Sequence, residues 1–83
     1  SVEKLRSMAM SYKDAIAAKQ ADVEKLAAKI KEIPVAEMMG EEAKALKADM
    51  DELNKSVSAL RERFQVYYDK LKEKGGDLSG LSL

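Results

Sequence analysis

The strongest constraint on the fold is a heptad pattern that occurs twice along the 83 residues. In its first run, ten seam positions follow one another at alternating intervals of three and four residues, the spacing of heptad positions a and d. Nine of the ten positions are apolar, and Lys19 is the exception. A period of 3.5 residues predicts a left-handed supercoil. Positions a are Val2, Ala9, Ile16, Val23 and Ile30, and positions d are Leu5, Tyr12, Lys19, Leu26 and Ile33.

The second run repeats the same alternation without a polar exception. Two regular stripes of this length predict two long helices that meet along a coiled-coil seam. The composition agrees, because alanine, lysine, glutamate and leucine dominate and favour helices. Positions a are Ala43, Met50, Val57, Phe64 and Leu71, and positions d are Met39, Leu46, Leu53, Leu60 and Tyr67.

The residues between the stripes predict a tight reversal. Pro34 lacks a backbone N–H and disfavours a helical residue before it, so the first helix should end near Glu32. The sequence therefore predicts a helix over about 2–32, a turn over about 33–40 and a second helix over about 36–74. Gly40 disfavours helix at the start of this second segment, so we expect stable helix only from Glu41.

A short connection makes consecutive helices antiparallel neighbours. We therefore predict an all-α fold in which residues 1–74 form an antiparallel coiled-coil hairpin, and two hairpins can pair into a four-helix bundle. Gly75 and Gly76 end the second helix, and residues 75–83, hereafter the tail, are either flexible or folded back. We call the loop the closed end of the hairpin and the chain termini its open end.

Apolar residues outside the seam concentrate at the open end. Clustered exposed apolar side chains usually mark an interface, so this patch is a candidate surface for a second copy or another protein. Alternatively, the tail folds back and its leucines Leu78, Leu81 and Leu83 cover the patch. The candidate interaction residues are Met8, Met10, Tyr12, Phe64, Val66, Tyr67, Tyr68 and Leu71.

Two further features bear on assembly. Lys19 either fixes register and oligomeric state, or its aliphatic stem lies on the seam while its ammonium group reaches water. Several alanines, among them Ala15, Ala18 and Ala59, permit close approach of another helix, although helix propensity also explains them.

The residues present exclude most catalytic chemistry. The chain has no histidine and no cysteine, so it offers no His-based triad and no thiolate nucleophile. The acidic run Asp49 to Glu52 lacks the glycine and the distal glutamate of a calcium loop. We therefore predict a non-enzyme with no catalytic residue, no metal site and no cofactor.

Charge and hydropathy constrain the partners. Fifteen basic and fifteen acidic residues balance, whereas dedicated nucleic-acid binders usually carry a concentrated basic patch. No apolar run reaches the roughly 18 residues that a membrane span requires. The first residue is Ser1, which fits either a processed exported chain or a piece of a longer protein.

These observations predict a non-catalytic structural or protein–protein interaction module, that is, a helical spacer or oligomerisation hairpin. Its expected partner is another protein or a second copy of itself. The alternative is a nucleic-acid-binding arm of a larger protein. That arm would use the lysines of the first helix, Lys13, Lys19, Lys25, Lys29 and Lys31.

Overall fold

The chain folds into two long helices that lie against each other as a hairpin. The computed structural model describes residues 1–83, with α1 at Val2–Lys31, one turn of 3₁₀ helix at Val35–Glu37 and α2 at Glu41–Glu73. No strand is present, and the body measures 55 × 17 × 13 Å. The predicted all-α helical hairpin is confirmed.

Local chemistry sets the ends of α1 and the start of α2. The Ser1 hydroxyl caps α1 by accepting a hydrogen bond from the Lys4 backbone N–H at 3.2 Å. Pro34 is extended (φ −60°, ψ 146°), so the chain leaves the helical conformation there. Gly40 is the N-cap of α2 and supplies no capping side chain, while Glu41 and Glu42 in the first turn complement the helix dipole.

The start of α2 changes the role of Met39, which the heptad pattern placed at position d of the seam. Met39 is 81% exposed and lies in the loop. Its neighbours form a 3₁₀ turn in which Glu37 N–H donates to Pro34 C=O and Met38 N–H donates to Val35 C=O. Because α-helical geometry begins only at Glu41, heptad spacing no longer directs Met39 toward α1.

A Schellman motif ends α2 and turns the chain back. Gly75 N–H donates to Lys72 C=O, and Gly76 N–H donates to Leu71 C=O at 2.9 Å. Gly75 has φ +71°, the left-handed conformation that glycine adopts at low cost. The tail therefore leaves the helix already directed toward the open end of the seam.

The seam is buried unevenly across its width. Every buried helical residue occupies an a position, whereas all d positions within the two helices are only half-buried. In an antiparallel pair, positions a and e lie toward one side of the hairpin and positions d and g toward the other. The side at d and g therefore keeps every one of its seam residues partly exposed, whereas on the a side five residues are buried and the other five are half-buried. The buried a residues are Ala9, Ile16, Ala43, Phe64 and Leu71.

The seam is also buried unevenly along its length. The main cluster joins Ala9, Ile16, Phe64 and Leu71 to Leu81 of the tail. All five lie in the half toward the open end, where the tail adds a third layer to the two helices. Toward the loop, Ala43 is the one buried side chain. The core of the molecule thus lies at the end that carries its termini.

Replacing Gly76 with alanine should weaken the return of the tail. A Cβ atom there would meet the Leu71 side chain and would lie 2.9 Å from Val2 Cγ1. We expect a loss of about 1–3 kcal/mol in the free energy of unfolding, measured by urea titration. Gly75→Asn is the matched control, because its site has no neighbour within 4 Å and asparagine tolerates the left-handed conformation. Equal losses in the two variants would contradict the close packing at Gly76.

Candidate interaction surface

The tail folds back across the open end of the hairpin. Leu81 is fully buried, Leu78 is half-buried and Leu83 is 52% exposed. Leu81 belongs to the main core cluster, and Leu78 packs against it. Two of the three tail leucines therefore cover apolar helix residues, while the last one remains largely in water.

Two basic side chains of α1 hold the tail by its backbone. Arg6 donates from Nη1 to Asp77 C=O at 2.6 Å and from Nη2 to Ser79 C=O at 2.7 Å. Lys13 Nζ donates to Gly80 C=O at 2.5 Å. Charged donors make shorter and stronger hydrogen bonds than neutral ones. These contacts fix the tail at three successive points over the apolar cluster.

The tail is also ordered by its own turns. Ser79 N–H donates to Asp77 Oδ1 at 2.9 Å. This bond, with the Ser79 hydroxyl second and the Arg6 charge also contributing, holds the pKa of Asp77 below its ordinary value. Leu81 N–H donates to Leu78 C=O at 3.2 Å, and Gly80 within this turn has φ +76°. The turn directs Leu81 into the cluster.

The tail gives the hairpin two different faces. Three side chains of α1 lie against the tail: Arg6 and Lys13 at e positions and Met10 at a b position. The tail therefore lies on the side of the seam that carries positions a, e and b, which we call the tail face. The opposite side carries positions d, g and c, and we call it the groove face. Its seam residues are the half-buried d residues.

The eight predicted interaction residues divide between these faces. The tail-face residues are buried or half-buried beside the tail, and three of the groove-face residues are half-buried while Val66 is 50% exposed. Whether either set binds a partner remains a prediction. The tail-face set is Met10, Phe64, Tyr68 and Leu71, and the groove-face set is Met8, Tyr12, Val66 and Tyr67.

Aromatic contacts tie each set to the seam. Tyr12 and Tyr67 stack with ring centroids 5.6 Å apart and planes inclined by 19°. Phe64 and Tyr68 have the same centroid separation at 30°. Such offset pairs stabilise packing beyond the area they bury. The tyrosine stack joins α1 to α2 at two d positions, so its rings form part of the groove face.

A shallow groove runs along the middle of the groove face. Leu26 and Leu53 are its apolar residues. On the α1 side Lys19, Lys25 and Lys29 outnumber Asp22, whereas the α2 side carries Asp49, Glu52 and Ser56. The groove is therefore positive along α1 and negative along α2. None of the charged groove residues on α1 forms an ion pair, and Glu52 pairs only with Lys55 of its own helix.

The lysines of the nucleic-acid alternative have different surroundings. Lys13 donates to the tail, and Lys19 is half-buried in the groove. Lys25 and Lys29 line the groove beside Asp22, Asp49 and Glu52. Lys31 is exposed in the last turn of α1. These five side chains thus do not form one continuous basic stripe.

The structure reveals an apolar tip that heptad reasoning missed. Val35 is 87% exposed and Met39 is 81% exposed at the closed end. The sequence signal for their exposure is that both residues lie after Pro34 and before α2 begins at Glu41. Apolar residues in a segment too short for a helix have no seam to enter.

No stretch of α1 or α2 has the length and hydropathy of a membrane-spanning segment. The side chains also form no group of three or more acidic residues that could hold a metal ion. The chain matches no protein-family model, and comparisons with curated proteins and with solved structures find no match.

Replacing Leu81 with alanine should destabilise the hairpin although the residue lies in the tail. Removal of a fully buried leucine side chain costs about 2–5 kcal/mol. Leu83→Ala is the matched control, since Leu83 is 52% exposed and its truncation should cost less than about 0.5 kcal/mol. Thermal unfolding followed by circular dichroism measures both. Equal, small effects would mean that the tail does not dock as described.

Proposed function

We propose that this chain is a non-catalytic protein–protein contact module, a helical spacer that self-associates through its exposed seam. The observation that carries the proposal is the exposure of the d residues. Seam leucines such as Leu26, Leu53 and Leu60 are only half-buried within one hairpin. A second hairpin would remove them from water, as in a four-helix bundle.

The total surface supports the same proposal. A compact monomer of 9.2 kDa exposes about 4,900 Å², but this chain exposes 5917 Å². The excess is roughly 1,000 Å², and a standard interface takes about 800 Å² from each partner. The elongated chain as a whole thus exposes about as much additional surface as each partner buries in a stable dimer.

The polar surface fits contact rather than chemistry. The single salt bridge of the chain joins Lys55 to Glu52 at 3.5 Å within one exposed helical turn. Apart from Arg6 and Lys13, which bind the tail, and Asp69 and Asp77, which accept local hydrogen bonds, the remaining charged side chains make no ion pair or hydrogen bond within the chain. No buried side-chain nitrogen or oxygen lacks a hydrogen-bond partner, and no histidine or cysteine is available for catalysis.

Sedimentation equilibrium tests self-association directly. We expect the mass average to rise from the 9.2 kDa monomer toward twice that value as the concentration increases through the micromolar range. Titration with single-stranded RNA at low salt is the companion measurement for the nucleic-acid alternative, whose binding would weaken steeply with salt. A monomer mass at all concentrations would refute the proposal, and salt-dependent RNA binding by such a monomer would favour the alternative.

A further inference from the structure

We propose that a second copy of this chain covers the groove face, with the two closed ends at the same end of the dimer and each α1 packed on the partner copy's α2. This inference rests on the proposed self-association and adds its surface and direction. It follows from the position of the tail, from the exposure of the d residues and from the charges along the groove.

The tail decides which face is free. Leu81 and Leu78 occupy the tail face at the open end, where Arg6 and Lys13 hold the backbone of the tail. A second helix pair cannot lie flat on that face without displacing the tail. The groove face carries no such cover from one end of the hairpin to the other, and all of its helical d residues are half-buried.

Small outer residues near the middle of the groove face permit close packing there. Ala18 and Ala59 occupy c positions on α1 and α2, and Ser56 lies in the groove itself. Small side chains beside half-buried leucines allow a second pair of helices to approach to the usual 8–10 Å. The d leucines of four helices would then form one core.

The charges of the groove set the direction of packing. Lys25 and Lys29 lie on the α1 side, and Asp49 and Glu52 lie opposite them on the α2 side. A two-fold axis along the length of the dimer places α1 of each copy over α2 of the other, so the lysines of each groove meet the acidic residues of the other groove. This match is confined to the groove, because Arg63 and Lys70 make the g positions of α2 basic toward the open end. A two-fold axis across the length places each α1 over the other α1, and the two sides never meet. Complementary charge therefore selects the first arrangement.

Charge reversal tests the face. Lys29→Glu should raise the dissociation constant of the dimer at least about tenfold at low salt, because the introduced carboxylate would face the Asp49 carboxylate of the second copy. Adding Asp49→Lys should restore association by exchanging the two signs. The matched control is Lys31→Glu, which makes the same charge change on the tail face and should leave the dissociation constant unchanged. Equal weakening by Lys31→Glu and Lys29→Glu would overturn the assignment of the groove face.

Distances between copies test the direction. The chain has no cysteine, so one spin label can be placed at Ala36→Cys in the loop and, in a second sample, at Ala17→Cys near mid-hairpin. Pulsed electron paramagnetic resonance should give a loop-to-loop distance below roughly 30 Å, because the hairpin is 17 Å wide and packed helices lie about 10 Å apart. A loop-to-loop distance approaching the 55 Å length of the hairpin would overturn the proposed direction.

The label at position 17 separates failure of this inference from failure of the proposed function. Ala17 lies near the middle of the hairpin on the tail face, so both packing directions place its two labels a similar distance apart, across the two 13 Å thicknesses of the dimer. An intermolecular distance there therefore reports self-association alone. A defined intermolecular distance at position 17 with one approaching 55 Å at position 36 refutes the direction but supports a self-associating module. Absence of any intermolecular distance in both samples, with a monomer mass at the same concentration, refutes both.

Discussion

Two helices in contact can shield only one line of side chains from water, and most features of this structure follow from that constraint. A hairpin of 83 residues has no third helix to close the sides of its seam. The tail supplies a short substitute at the open end, where Leu81 completes a cluster with Ala9, Ile16, Phe64 and Leu71. On the opposite face nothing comparable exists. The d residues there remain half in water, and the proposed self-association rests on this exposure.

The heptad pattern predicted the helices and their antiparallel contact because seam spacing is a property of the sequence alone. Pro34 and the glycine pair likewise mark where helical geometry stops. Met39 shows the limit of such reasoning. Its spacing fits position d, but the 3₁₀ turn before it removes the geometry that would give the spacing meaning. Periodicity predicts the contacts of a residue only inside the helix that carries it.

The candidate surface shows a second limit. The concentration of apolar residues at the open end was visible in the sequence, but their division into two faces was not. That division depends on which side the tail follows, and Arg6 and Lys13 decide this by binding its backbone carbonyls. Nothing in the tail sequence alone specifies these donors. The charge difference across the groove also needs the pairing of α1 with α2, since Lys29 and Asp49 are far apart along the chain.

The two faces therefore contribute differently to the molecule. The tail face contributes to the stability of the single hairpin, and the groove face keeps its d residues half-exposed. This arrangement also places the core of the hairpin beside its termini, whereas the loop that joins the helices carries the exposed Val35 and Met39.

Amide hydrogen exchange at a concentration where the chain is monomeric tests this uneven core most directly. Opening free energies are highest where buried contacts are densest. The slowest amides should therefore lie around Ala9 to Ile16 in α1 and around Phe64 to Leu71 in α2, close to the termini. The amides around Leu26 to Ile30 and around Ala43 to Leu46 should exchange faster. The reverse order, with protection greatest beside the loop and least at the termini, would contradict a core that depends on the docked tail.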